Sequence, residues 1–155
     1  TILNNIVARA GLIAVGAEDT AGVLCYGDDI LIATDEPFDI DEWQEFYNQT
    51  PYKITSADKN EKIEWSTMDR CTFLKRNFVF DHGVVRPEMD EENIRQLLMW
   101  ARPGTLQEKI QSLARIAVHN GRNAYNRLFK PFEEVGFYIP PFDTLNEDFL
   151  ADLMA

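Results

Sequence analysis

The stretch GVLCYGDDILIATDEP, residues 22–37, sets two adjacent aspartates, Asp28 and Asp29, between two apolar runs. Residues on both sides of Gly27-Asp28-Asp29 are β-branched or apolar, and Gly and Asp supply the positive-φ positions of tight turns, so the stretch reads as a β-hairpin with the acids at its bend. Such strands can hide Val23, Leu24, Ile30 and Ile32 in a core. Two neighbouring anions repel and resist desolvation, so a cation is expected beside them.

Upstream, Ile2, Leu3, Ile6, Val7, Ala10, Ile13 and Ala14 recur at helical spacing, and Gly16 is placed to end that helix. Downstream, Asp39 reads as an N-cap with an acid three positions on, opening a helix to about Asn48 with Ile40, Trp43, Phe46 and Tyr47 inward. A short strand is expected at Tyr52–Ser56, then a polar loop from Ala57 to Glu64. Cys71–Leu74 and Phe78–Phe80 read as a second hairpin with Lys75-Arg76-Asn77 at its tip.

After Gly83 the pattern turns helical. Asp90 is expected to cap a helix to about Trp100, which Arg102-Pro103-Gly104 breaks; Thr105-Leu106-Gln107-Glu108 reads as a capping box. That next helix should stop at Asn120-Gly121, and another should run from about Asn123 to Glu134. Val135–Phe142 is expected to be extended, and the last ten residues to form a short acidic helix. The prediction is an α+β fold: a small β-containing part over residues 1–80 and a helical part over residues 81–155.

With 155 residues, 45% of them hydrophobic, the chain can bury one sizeable core or two small ones. Two cysteines, Cys25 and Cys71, are too few for a disulfide framework and fit a reducing compartment. No run reaches the roughly 18 apolar residues of a spanning helix. There is no initiator Met, and a helical pattern is already under way at Thr1-Ile2-Leu3, so a piece of something longer is expected.

A net charge of −11 argues against nucleic-acid binding if the chain is judged by its total. Its distribution differs. Residues 1–50 hold ten acids against one base, Arg9, whereas residues 93–130 hold seven bases against Glu108 alone. This split suggests a cation site in one part and a polyanion track in the other; solvated helix faces of mixed sign are the plain alternative.

Two carboxylates on a tight turn suit a hard divalent cation, since Mg²⁺ takes oxygen ligands, and paired ions can stabilise both oxygens of a phosphoryl displacement. A purely polar hairpin turn is the competing explanation. Lys59, in KITSADKNEK, stands where an ammonium can donate a proton to a departing pyrophosphate, although most loop lysines are merely solvated. Lys75 and Arg76 are suited to gripping phosphates, or to an exposed turn. His119 reads as a helix-end residue and Trp100 as core. A calcium-binding loop at Asp35–Glu45 fails, because Ile40 and Phe46 stand where such a loop needs Gly and a carboxylate.

YGDD, YKITSADK, TFLKRNF, RPGTLQEK and AVHNGRNAYNRLFKPFEEVG follow one another in that order. Through them the chain resembles the C-terminal third of a picornavirus RNA-dependent RNA polymerase, of the sort found in cardioviruses and aphthoviruses. The resemblance implies a partial palm over residues 1–80, carrying motifs C, D and E, and a helical thumb over 81–155. It implies that Asp28 and Asp29 bind catalytic Mg²⁺, with Mn²⁺ as the alternative ion, and that Asp28 is the more direct ligand. It further makes Lys59 the motif D general acid, and Lys75 and Arg76 the motif E grip on the primer strand. Implied partners are RNA template and primer, nucleoside triphosphates, a small viral protein primer and the remainder of the polymerase chain, at membrane-associated replication complexes in the host cytoplasm.

Relatives often carry Pro where Ser56 stands, and the link from the first helix to Tyr26 is short. The motif A aspartate, the motif B serine and asparagine, and the fingers are expected to precede Thr1. The isolated chain is therefore expected to be inactive. The competing readings are a reverse-transcriptase-like palm, which usually has a bulkier residue at the Gly27 position, and a non-enzymatic acidic, helical interaction module.

Overall fold

The computed structural model describes residues 1–59 and 62–155, so that Asn60 and Glu61 of the expected polar loop lie outside the described residues. It confirms the α+β class: six α-helices and two small antiparallel sheets stand among the described residues. They form two compact units, Thr1–Thr67 and Met68–Ala155. Residue 80 falls inside a strand of the second unit.

In the first unit, α1 (Ile2–Ala14) ends where Gly16 takes a φ of +69°, and the Ala17 N–H reaches back to the Leu12 carbonyl at 2.8 Å. This left-handed closure satisfies carbonyls that the last turn leaves open. The chain then enters β1 (Ala21–Tyr26) and returns as β2 (Asp29–Thr34), in the register Tyr26↔Asp29 through Ala21↔Thr34. Only one face of this two-stranded sheet is covered. Val23 and Ile32 pack against the core, whereas Leu24 is 58% exposed and Ile30 is also exposed, contrary to the burial expected for all four. A two-stranded ribbon has two faces, and α1 and α2 supply apolar surface for the one that carries Val23 and Ile32; Leu24 lies on the other, whereas Ile30 shares the covered face and is exposed beside the bend.

Helix α2 (Ile40–Asn48) starts as its sequence predicts, with the Asp39 carboxylate accepting from the N–H groups of Asp41 and Glu42 at 2.9 and 3.1 Å. Trp43 and Tyr47 project from it into a core that includes Leu12, Ala17 and Ala21. Tyr47 crosses α1 where Gly11 has no side chain, and its hydroxyl donates to the Val7 and Ala8 carbonyls at 2.7 and 3.2 Å. The strand expected at Tyr52–Ser56 is absent. That segment has no ladder partner, and only its Ile54 packs on the core.

In the second unit, β3 (Thr72–Phe73), β4 (Arg76–Asp81) and β5 (Val84–Glu88) form one antiparallel sheet in that order. The hairpin tip is Leu74-Lys75, both at positive φ (52° and 59°), so Arg76 lies in a strand and not at the tip. Strand β5 is not among the expected elements, since the pattern after Gly83 reads as helical; its Pro87 sits at the sheet edge opposite Phe78. A proline is tolerated there with its ring nitrogen turned away from the partner strand.

Helices α3 (Glu91–Met99), α4 (Leu106–Ala117), α5 (Arg122–Glu134) and α6 (Phe142–Met154) enclose a core built on Ile94, Leu98, Ile110, Leu113, Leu128 and Phe129. The capping box does not form: the Thr105 hydroxyl bonds instead to the Arg102 carbonyl at 2.9 Å. A 3₁₀ turn, Val118–Asn120, follows α4, and Gly121 at φ +84° resets the chain for α5. Helix α6 begins at Phe142, earlier than its acidic composition suggests, directly after Pro140-Pro141. Trp100, expected in the core, is 83% exposed at the end of α3.

Around the 3₁₀ turn, Asn120 donates to the Met89 carbonyl at 2.6 Å, and the His119 ring meets the Phe149 ring edge-on at 4.5 Å. Arg86 lies over the Phe149 ring, 5.4 Å from its centroid, while bonding Asp81 and Asn146. Burial, with the positive charges of Arg86 and Arg76, pushes the His119 pKa down to about 4.

Two outcomes are expected. An added Cβ at Gly11 would stand 2.2 Å from the Tyr47 hydroxyl oxygen, so Gly11→Ala should cost about 1–3 kcal/mol in a denaturant melt. His119 is neutral in the fold but takes a proton near pH 6.5 when unfolded. Its contribution is therefore complete above pH 6.5 and is lost as pH falls toward 4. Melts of His119→Gln should show about one proton fewer taken up on unfolding near pH 5 than the parent protein.

Candidate active site

The YGDD bend is a two-residue turn, Gly27-Asp28, closed by the pair Tyr26↔Asp29. Gly27 takes a φ of +56°, a conformation that costs glycine little and a branched residue much. The ladder continues to the last residue before the bend, so Asp28 projects from the turn itself and Asp29 from the first position of β2. Both carboxylates are exposed.

No cation pairs with either of them among the described residues. The partner that the sequence demands is thus not an internal arginine or lysine. An amide stands there instead. Asn4, in the first turn of α1, donates through Nδ2 to the Gly27 carbonyl at 2.5 Å and approaches Asp28 Oδ1 at 3.4 Å. The Gly27 N–H donates to the Thr1 hydroxyl at 3.0 Å. Sequence reasoning passed over both residues. The available signal was a pair of asparagines in a largely apolar helix, of which Asn5 is used differently, accepting from Arg9 at 3.0 Å.

Oxygen donors, solvent access and the lack of a competing cation fit a hard divalent ion at this bend. Two carboxylates make an incomplete set. Among the described residues no group of three or more His, Cys, Asp or Glu side chains converges to hold a metal.

Lys59 ends a tight turn at φ +60°, with its N–H bonded to the Ser56 carbonyl at 3.0 Å. Its side chain is exposed, and no bond joins it to Asp28 or Asp29. In the second unit, Lys75 is exposed on the β3–β4 turn. Arg76 is half-buried, with Nη1 lacking a partner and its pKa lowered by burial.

The basic segment 93–130 is more balanced than its sequence suggests. Arg127 and Arg95 both meet Glu91, Arg122 meets Asp143, and Lys130 meets Glu134. These acids lie outside the counted window, or in another helix, so a linear count of charge misses them. Among the described residues, Arg102, Lys109 and Arg115 are left without an acidic partner.

A family model described as viral RNA-dependent RNA polymerase matches residues 1–136. The genome polyprotein of Cosavirus A is 40% identical over 158 residues, spanning 100% of this chain and 7% of the polyprotein. That of encephalomyocarditis virus is 42% identical over 149 residues, spanning 94% of this chain and 6% of the polyprotein. A solved structure, the Sicinivirus 3Dpol RNA dependent RNA polymerase, superposes with a TM-score of 0.75 at 34% identity, covering 99% of this chain and 36% of that one.

Proposed function

The chain belongs to the viral RNA-dependent RNA polymerases, and from that membership we propose that it is the C-terminal part of a picornaviral enzyme that copies a positive-strand RNA genome. The observation that carries this reading to the residues is the bend: two exposed carboxylates on a two-residue turn, with no cation paired to them among the described residues, in a chain of this family. Residues 1–80 contribute part of the palm and residues 81–155 the thumb.

In the reaction, the primer 3′-hydroxyl gives up its proton to solvent water, its oxygen attacks the α-phosphorus of a nucleoside triphosphate, and the bond to the bridging oxygen of pyrophosphate breaks. Asp28 and Asp29 would hold Mg²⁺, or Mn²⁺, which would supply charge neutralisation at the phosphoryl oxygens. Lys59 hands its proton to the departing pyrophosphate, a task for which an exposed ammonium on a tight turn is available. Lys75 and Arg76 hold the primer strand through its phosphates. Under the same reading the enzyme works at membrane-associated complexes in the host cytoplasm and extends a small protein primer. Among the described residues no helix is long and apolar enough to cross a bilayer.

The incomplete donor set supports a further part of the proposal: these 155 residues alone do not polymerise RNA. The exposed apolar residues of α1 agree with it. Ile2 is 80% exposed, and Leu3, Ile6 and Ile13 are more than half exposed, as suits a face that docks on the remainder of the polymerase chain.

In the complete polymerase, Asp28→Ala should reduce Mg²⁺-dependent nucleotide incorporation to background while leaving the protein folded. The 155-residue chain should give no primer extension in the same assay, and extension that survives Asp28→Ala would overturn the reading.

A further inference from the structure

A carboxylate on a two-residue turn is poorly aimed by its strands alone. The ladder fixes the backbone up to Tyr26 and from Asp29 onward, but the peptide between Gly27 and Asp28 lies outside it. Asp28 χ1 has staggered alternatives, and nothing in the sheet selects one. Selection comes from α1. The Thr1 hydroxyl accepts from the Gly27 N–H, and the Asn4 amide donates to the Gly27 carbonyl, so both polar groups of Gly27 are tied to one face of the helix start. The same Asn4 nitrogen lies 3.4 Å from Asp28 Oδ1.

The helix is itself anchored. Ala8 and Leu12 are fully buried, and Tyr47 bonds to the Val7 and Ala8 carbonyls, so the position of Asn4 is inherited from the core of the first unit.

We infer that Asn4 is a positioning residue for the reaction: its amide fixes the Gly27-Asp28 turn and orients the Asp28 carboxylate for a divalent cation. This rests on the reading that Asp28 is a metal ligand. The chemistry requires an amide. A single nitrogen with two hydrogens can serve a backbone carbonyl and a neighbouring carboxylate oxygen together, whereas a hydroxyl has one hydrogen and a carboxylate has none. The contact to Oδ1 leaves Oδ2 free to coordinate. Without it, binding of the ion must itself order the turn, and a preorganised ligand becomes a mobile one.

The test uses the complete polymerase, follows single-nucleotide addition as a function of Mg²⁺ concentration at saturating nucleotide, and reads Mn²⁺ binding to the resting enzyme in parallel by electron paramagnetic resonance, where the dissociation constant should move with the Mg²⁺ midpoint. Asn4→Ala should raise the Mg²⁺ midpoint about three- to tenfold, as expected for a long, exposed hydrogen bond to a charged acceptor, with the rate at saturating Mg²⁺ within about twofold of the parent. Asn4→Ser, whose shorter side chain carries one hydrogen, should shift it in the same direction. Asn5→Ala, one position along but bonded to Arg9, should shift nothing. A merely structural role would lower the rate at every Mg²⁺ concentration and leave the midpoint in place, and that result overturns the inference. Should Asn4→Ala fail to fold by thermal melt, Asn4→Ser carries the same comparison. Asp28→Ala run alongside separates the two claims: an inactive Asp28→Ala with an unshifted Asn4→Ala removes only the positioning role, whereas an active Asp28→Ala removes the metal reading beneath it.

Discussion

The first unit depends on the contact between Gly11 and Tyr47. A tyrosine ring lies against α1 at the one position where the helix offers no side chain, and its hydroxyl bonds to two carbonyls one turn earlier. Those carbonyls already accept within the helix, so the added bonds use their second lone pairs, while burial raises the pKa of the Tyr47 hydroxyl. The contact fixes the separation of α1 and α2, and hence which face of the β1–β2 ribbon is covered. The aspartate bend, held by Thr1 and Asn4 at the start of α1, is therefore referenced to a buried aromatic residue some distance along the chain.

The second unit is organised by cations that find acids close by. Glu91 serves both Arg95 and Arg127, and the bond from Arg127 holds its carboxyl below the usual range. The Arg122 guanidinium does the same for Asp143 while lying over the Phe142 ring. Exposed pairs of this kind contribute little stability, because water and salt screen them. Their larger effect is on the external field: α5 loses most of the positive character that its sequence advertises, and α4, with Lys109 and Arg115, keeps its own.

Much of this was legible in the sequence for local reasons. Asp39 and its helix, Gly16 and its left-handed stop, and the YGDD bend are each decided by residues within a turn of one another. What escaped was decided by partners. Tyr52–Ser56 has the composition of a strand and no neighbour to pair with, and Trp100 has the hydrophobicity of a core residue but stands past the end of its helix. Thr105 has the residue types of a capping box, yet its hydroxyl finds a nearer acceptor at Arg102. Asp28 and Asp29 were found because paired acids on a bend are conspicuous. Asn4 was not, since its role is to touch a residue more than twenty positions away, and no local pattern records that.

Pro87 has a bearing on how the protein survives outside its fold. Sheets grow by donating N–H groups from an edge, and β5 lacks one midway along that edge; at the other edge, β3 is two residues long. Neither margin offers a template for another chain to extend. Cross-β aggregation of the second unit therefore has no ready seed in its native state, which leaves partial unfolding as the route by which it would precipitate.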